Sequence, residues 1–217
     1  MGERLSEQEK VFLDVLTSTE CMSLYEAHLI LYRYMNSSEG KRIAMFNHLK
    51  RGFYLDITSD GKYMVAGSRQ KGTGEGKLKK GTIAALYVAL EILNKDNETE
   101  IDALQCIYKP SGLGTLTFIS NNQIYTIYAL AHKDIYKIKL IADQYRQKEH
   151  RLNTDIYVPN SNFKEYSIFL FLEPEKTEDI LQNITEMELD IPHKIAITRS
   201  QDVSEKVLFD IYEAEQE

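Results

Sequence analysis

The sequence predicts an α+β protein, in which an amino-terminal winged helix-turn-helix is followed by an α/β domain with a mixed sheet. Three observations support this prediction. Residues 23–67 read as two helices and a β-hairpin in direct succession. A basic, glycine-rich segment follows, and beyond it apolar runs typical of strands alternate with helical patterns. The chain has 217 residues, of which 43% are hydrophobic, so it can bury a sizeable core.

The amino-terminal helices begin at local capping signals. Ser6 with Glu9, and Ser23 with Glu26, match the S-x-x-E capping box, which predicts one helix over 6–19 and a second from residue 23. The run Asn-Ser-Ser at 36–38 ends the second helix and offers a serine cap to a third. A Ser-Asp-Gly turn at 59–61 then predicts a hairpin between residues 54–58 and 62–67.

The third helix, over 39–51, is the one that a winged helix-turn-helix offers to the major groove of DNA. Its apolar residues recur every three positions and predict a buried side formed by Ile43, Phe46 and Leu49. The opposite side is predicted to carry Lys41, Ala44, His48 and Arg51. Gly52 is expected to end the helix.

Residues 69–81 are predicted to be a basic, glycine-rich linker between a winged-helix domain over 1–68 and an α/β domain over 82–217. The linker does not match a phosphate loop. Lys71 stands where the G-x-x-x-x-G-K-[ST] pattern requires its first glycine, and Leu78 replaces the Ser or Thr. We expect no cofactor and no metal site.

Helical and strand patterns alternate in the second domain. Helices are predicted over 82–93, 134–147, 176–187 and 204–214, and strands over 103–108, 115–119, 123–131, 167–172 and 194–198. The continuous apolar run SIFLFL at 167–172 is typical of a central strand covered on both faces. The predicted order αβββαβαβα begins with a three-stranded meander and continues through crossovers into a mixed sheet.

Charge is distributed unevenly along the chain. The net charge is −7, yet the segment 41–80 carries ten basic residues against three acidic ones, which gives +7 there and −14 elsewhere. A basic patch on an acidic protein indicates a polyanionic partner. No amino-terminal signal pattern and no apolar run of about 18 residues is present, so we expect a cytoplasmic protein that does not bind membranes.

The order of elements resembles that of replication-relaxation proteins of plasmids and conjugative elements, which combine a winged helix, a short linker and an αβββαβ core. The resemblance covers almost the whole chain and rests on element order. It implies a restriction-endonuclease-like second domain and a role in replication, transfer or transcription control of a bacterial mobile element. An active fold of that type carries an Asp and a D/E-x-K on its second and third core strands. The matching strands here, TLTFI and QIYTIYALA, contain no acid and no lysine, so no catalysis is expected.

We therefore expect a DNA-binding regulator or accessory protein that binds double-stranded DNA and is not an enzyme. His48 and Arg51 are predicted to read bases, and the other basic residues to contact phosphates. The complete predicted set is Lys41, Arg42, His48, Lys50, Arg51, Lys62, Arg69, Lys71, Lys77, Lys79 and Lys80.

Two other functions stay open on the sequence alone. A winged helix can also bind proteins, and Ala44 and Met45 suit such a surface. A metal-dependent nuclease is the third hypothesis, because Asp60 followed by Glu75 and Lys77 matches a D…E-x-K string. Homodimerisation also stays open, since winged-helix regulators commonly pair.

Overall fold

The computed structural model of the protein describes residues 5–70, 78–110, 112–154 and 164–213. Over these ranges the chain is α+β, with a three-stranded and a five-stranded sheet. The elements in chain order are α1 (Glu7–Thr19), β1 (Cys21–Ser23), α2 (Leu24–Leu29), a π-helical turn (Ile30–Tyr34), α3 (Glu39–Arg51), β2 (Leu55–Ile57), β3 (Tyr63–Ala66), α4 (Lys80–Lys95), α5 (Ile101–Gln105), β4 (Leu116–Ser120), β5 (Gln123–Leu130), α6 (Lys137–Thr154), β6 (Lys164–Phe171), α7 (Thr177–Thr185), β7 (His193–Thr198) and β8 (Phe209–Glu213).

The two predicted capping boxes are confirmed. The carboxylate of Glu9 accepts from the backbone N–H of Ser6 at 2.7 Å, and that of Glu26 accepts from the backbone N–H of Ser23 at 2.7 Å. In return, each serine hydroxyl accepts from the backbone N–H of its glutamate. Ser38 is the N-cap of α3, as expected, but its side chain makes no capping hydrogen bond.

The smaller sheet is antiparallel throughout and has the order β1-β3-β2. Its hairpin turns where the sequence predicts, at Asp60 and Gly61. The φ angle of Gly61 is 71°, a conformation that favours glycine. An oxygen of Asp60 accepts from the backbone N–H of Lys62 at 3.0 Å and thereby closes the turn.

The larger sheet is mixed, as predicted, and has the order β4-β5-β6-β7-β8. β5, β6 and β7 run parallel, and each edge strand is antiparallel to its neighbour. β6 is the central strand, and its residues 167–171 are all buried, which confirms the interpretation of the apolar run. α4 covers one face of this sheet, while α6 and α7 contribute to a separate apolar cluster on the other.

Two predicted elements of the second domain are wrong. The predicted strand 103–108 is the helix α5, after which only Tyr108 pairs with the sheet, through Thr117. The apolar residues Leu104 and Ile107 are both buried and lie three positions apart, a spacing that is typical of a helix and not of the alternation of a strand. The predicted helix 204–214 is not found in the described residues: residues 204–208 are irregular, and residues 209–213 form the strand β8, which pairs with β7. The order αβββαβαβα is therefore incorrect.

α4 lies between the two sheets. Every residue from Thr82 to Leu90 is buried, and the helix contacts α1 and β1 on one side and β4, β5 and β6 on the other. The ring of Tyr87 lies 6.1 Å from that of Tyr25 in α2 and 6.3 Å from that of Phe209 in β8. One apolar cluster thus crosses the boundary predicted at 69–81, and the division into two domains stays a prediction.

The π-helical turn fixes the second helix against α4. The hydroxyl of Tyr34 donates to the carbonyl oxygen of Leu90 at 2.9 Å, and Arg33 Nη1 lies 3.0 Å from Glu91 Oε1. Both contacts come from residues inside the π turn, which widens the helix by one residue and changes the direction of the side chains that follow.

Glu26 is a buried carboxyl group, and no described residue places an opposite charge beside it. Oε2 accepts from the backbone and hydroxyl of Ser23, whereas Oε1 has no hydrogen-bond partner within the described ranges. Burial raises the pKa of Glu26 to about 8, against the lowering effects of the Ser23 hydrogen bonds and of the nearby Tyr87 backbone. The carboxyl group is therefore mainly neutral at pH 7.

Because the pKa of Glu26 is higher in the folded state, its contribution to stability is complete below pH 4.5 and is lost as pH rises through about 8. Glu26→Gln keeps the cap and cannot ionise. We expect the variant to gain stability relative to wild type by about 1.4 kcal/mol per pH unit over this window. Urea unfolding at several pH values measures the difference, and Glu178→Gln on the exposed surface is the control. A difference that does not vary with pH would contradict the assignment.

Replacement of Tyr87 tests whether α4 joins the two sheets into one cooperative unit. Tyr87→Ala removes a ring that contacts both sides of the structure, so a loss of about 3–5 kcal/mol is expected. Unfolding followed by circular dichroism and by hydrogen exchange should show that both sheets are destabilised together. Tyr136→Ala, at a side chain that is 57% exposed, should have little effect. Destabilisation confined to the larger sheet would instead favour two independent domains.

Candidate nucleic-acid interface

α3 packs against the rest of the protein through few side chains, so a broad face of the helix is exposed to solvent. Phe46 and Leu49 are its buried residues, and the Phe46 ring packs 5.9 Å from Phe12 and 5.3 Å from His28. The prediction that Ile43 is buried is wrong, since this side chain is 51% exposed. The exposed face of α3, as the term is used below, consists of Gly40, Lys41, Ile43, Ala44, Asn47, Lys50 and Arg51.

Three predicted DNA-binding residues lie on this face. Lys41 stands near the amino-terminal end of α3, and Lys50 and Arg51 stand at the carboxyl-terminal end. Among the residues that the structure describes, none forms an ion pair with these three side chains. Their charges are therefore available to an external anion, and the two basic residues at the helix end are also stabilised by the helix dipole.

Arg42 is held against the protein. Its Nη1 donates to the carbonyl oxygen of Ser37 at 3.1 Å, and its guanidinium lies 5.8 Å from the ring centre of Tyr32. Both contacts fix the polar turn that precedes α3. The residue was predicted to bind DNA, but in the structure it also supports the position of the helix.

His48 turns toward α1 rather than toward the exposed face. Its Nδ1 lies 2.5 Å from Oε1 of Glu9. Burial would raise the pKa of Glu9, but hydrogen bonds from His48 and Ser6 outweigh it and lower that pKa overall. The predicted base-reading side chain is thus engaged in joining α3 to α1.

Two further predicted cations, Arg69 and Lys79, contact side chains outside α3. Arg69 lies 5.1 Å above the ring of Tyr54 and donates to its hydroxyl at 3.1 Å. Lys79 pairs with Glu20, whose other carboxylate oxygen pairs with Lys109, each at 2.5 Å. The single carboxylate of Glu20 is therefore shared by two ammonium groups, and the three side chains together keep a net charge of +1.

Lys62 and Lys80 lie near an acid of the loop before β8. The pKa of Asp202 is lowered, first by hydrogen bonds from Ser204 and then by the charges of Lys62 and Lys80. Lys80 Nζ also lies 3.5 Å from the carbonyl oxygen of Gln201. Lys71 and Lys77, the other two predicted residues, lie outside the described residues.

Sequence reasoning missed two exposed residues, one on the face of α3 and one just beyond the end of the helix. Asn47 is exposed near the middle of the α3 face, and the spacing 40, 44, 47 and 51 along one side of a helix could have revealed it. Phe53, directly after the helix, has a side chain that is 61% exposed and a left-handed backbone with φ of 60°. No sequence signal marks such a conformation at a phenylalanine.

The acids of the nuclease hypothesis are not assembled by the described residues. Asp60 lies in the hairpin turn, while Glu75 and Lys77 fall outside the described ranges. Within those ranges no group of three His, Cys, Asp or Glu side chains could hold a metal ion. On the face of β4 and β5 away from α4, the hydroxyls of Thr117 and Thr126 lie 3.1 Å apart and line a cavity of about 330 Å³.

Comparison with known proteins identified no relative of this chain. No protein-family profile matches the chain, and no curated protein or solved structure shows significant similarity to it. Over the described residues, no helix combines the length and apolar character needed to cross a membrane.

The His48–Glu9 contact leads to a test of how α3 is held. His48→Ala should remove one partly buried hydrogen bond, raise the pKa of Glu9 and lower the free energy of unfolding by about 1 kcal/mol. Thermal unfolding measures the loss. Asn47→Ala, one position away on the exposed face, should leave stability unchanged. Equal stability of His48→Ala and wild type would show that the contact does not anchor the helix.

Proposed function

We propose that the protein binds double-stranded DNA through the exposed face of α3, as a regulator or accessory protein of a bacterial mobile element. The observation that carries the proposal is a set of three cations at the two ends of this face, Lys41, Lys50 and Arg51, which form no ion pair with any residue that the structure describes. Their charges are concentrated on one helix of a chain whose net charge is −7. Such a distribution favours one-sided binding to a polyanion.

The arrangement of the first elements supports a winged helix-turn-helix. Helix, strand, two helices and two strands follow one another, and the last hairpin pairs with β1 in the order β1-β3-β2. In such a domain α3 is the recognition helix and the hairpin β2–β3 is the wing. Thirteen residues make α3 about 20 Å long, and the major groove, about 12 Å wide, admits a helix of this kind.

The side chains on the α3 face suit contact with a groove. Gly40 and Ala44 are small, so the helix backbone can come close to the bases. Asn47 carries an amide that can form two hydrogen bonds with adenine, and Arg51 can do the same with guanine. Lys41 and Lys50 suit the phosphates on either side of the groove.

The assignment to a mobile element is carried over from the resemblance to replication-relaxation proteins. Of that resemblance only the winged-helix order remains, since the αβββαβ order expected of the second domain is incorrect. Thr117 and Thr126 face each other on β4 and β5, and these two strands contain no acid and no lysine, so a role without catalysis is proposed for the second domain. In this proposal the second domain supports the DNA-binding unit through α4 and offers its outer surfaces to other components.

A second candidate function is protein binding at the aromatic groove beside α3. Tyr25, His28, Leu29, Tyr32 and Arg42 line an open cavity of about 240 Å³ there. Tyr32 is 67% exposed and Ile43, on the adjoining helix, is 51% exposed. Exposed aromatic side chains of this kind are enriched at protein interfaces. Salt dependence separates the two functions, because only phosphate contacts cause a steep loss of affinity with salt.

Titration of fluorescent duplexes at several salt concentrations tests the proposal. Replacement of Lys41, Lys50 and Arg51 by alanine should weaken binding to all duplexes and reduce the slope of log affinity against log salt by about 0.9 per lost phosphate contact. Asn47→Ala should instead weaken sequence preference. The matched control is Lys79→Ala, which removes a cation outside α3 that is held in an ion pair by Glu20, and which should change affinity little.

Two results would reject DNA binding by α3. The first is no detectable affinity of the wild-type protein for duplex DNA at low salt. The second is an affinity that the triple replacement leaves unchanged. Either result would favour the protein-binding groove.

A further inference from the structure

Phe53 combines two unfavourable features. Its backbone has a φ of 60°, a conformation that a bulky side chain rarely adopts, and its apolar ring is 61% exposed. The described residues other than glycine with positive φ are Glu20, Asn36, Phe53, Asn97, Asn121, Asn122 and Glu188. Asparagine, which tolerates this conformation, fills four of these positions, and Phe53 is the one aromatic residue among them.

The backbone at Phe53 is firmly held. Its N–H donates to the carbonyl oxygen of Lys50 at 3.0 Å, and its own carbonyl oxygen accepts from the N–H of Arg69 at 3.1 Å. Gly67 packs so closely that a Cβ there would lie 2.5 Å from the Phe53 carbonyl oxygen. Since these contacts involve only the backbone, the fold needs the turn but does not need a phenylalanine ring. Glycine or asparagine would satisfy the same turn with less strain.

Basic residues lie close to Phe53 in the chain and at its backbone. Lys50 and Arg51 lie three and two residues before Phe53, and the backbone N–H of Arg69 donates to its carbonyl oxygen. Tyr54 follows, with the guanidinium of Arg69 over its ring. An exposed aromatic ring close to positive charge is complementary to nucleic acid, because a base offers a flat apolar face next to an anionic backbone.

We propose that Phe53 stacks on an unpaired base and directs the protein to duplex DNA that contains an unpaired base beside the segment bound by α3. This inference rests on the proposed function of α3. In an intact duplex both faces of each base are covered, so a ring can stack only after a base step has been opened, which costs free energy. An unpaired base already offers an open face, and the rigid turn places the ring there without further ordering.

The experiment compares two short fluorescent duplexes of the same sequence, one fully paired and one with a single unpaired 2-aminopurine. Wild-type protein should bind the second duplex about tenfold more tightly, as expected of one base–aromatic stack, and should quench the 2-aminopurine fluorescence. Phe53→Gly should lose the preference and the quenching while keeping the affinity for the paired duplex. Phe53→Tyr, which retains a ring, should keep both.

Thermal unfolding provides the second measurement. Phe53→Gly and Phe53→Asn relieve the left-handed strain, so their melting temperatures should equal or exceed that of wild type. Equal affinity of wild type for the two duplexes, or a preference that Phe53→Gly and Phe53→Asn retain, would overturn the inference and leave binding by α3 intact. No affinity for either duplex would overturn both proposals.

Discussion

The burial of α4 on all sides is the constraint on which the rest of the structure depends. A helix that is apolar around its whole circumference must be enclosed, and here the two sheets enclose it together. Tyr87 contacts α2 and β8 at once, while Tyr34 and Arg33 bind the same helix from the first unit. The position of α3 relative to the larger sheet is therefore set by packing and not by a linker.

Local signals in the sequence were sufficient wherever a few adjacent residues determine the structure. The capping boxes at Ser6 and Ser23, the turn at Asp60 and the central strand at 167–172 all depend on neighbours in the chain, and all are confirmed. The strand β8 depends on pairing with β7, and the helix α5 on burial beneath α1. Such contacts between distant residues leave little trace in a short segment, so the pattern there was ambiguous.

The charges at the candidate site, like the fold, could be predicted from the sequence only in part. The sequence shows which residues are basic, but the acids of distant elements determine which of them remain unpaired. Glu9 and Glu20, at the two ends of α1, engage His48 and Lys79, while Lys41, Lys50 and Arg51 stay free of ion pairs among the described residues. The exposure of Phe53 depends likewise on backbone contacts with Lys50 and Arg69 that no local pattern reveals.

The π-helical turn at Ile30–Tyr34 restricts how this protein can vary in evolution. A π turn carries one residue more than the α-helical turn that it replaces, and both contacts with α4, through Arg33 and Tyr34, lie within it. Deletion of one residue there would rotate the following side chains by about 100° and separate the second helix from its support. Homologous chains should therefore differ in length at their surface loops and keep a constant spacing between Ser23 and Ser37.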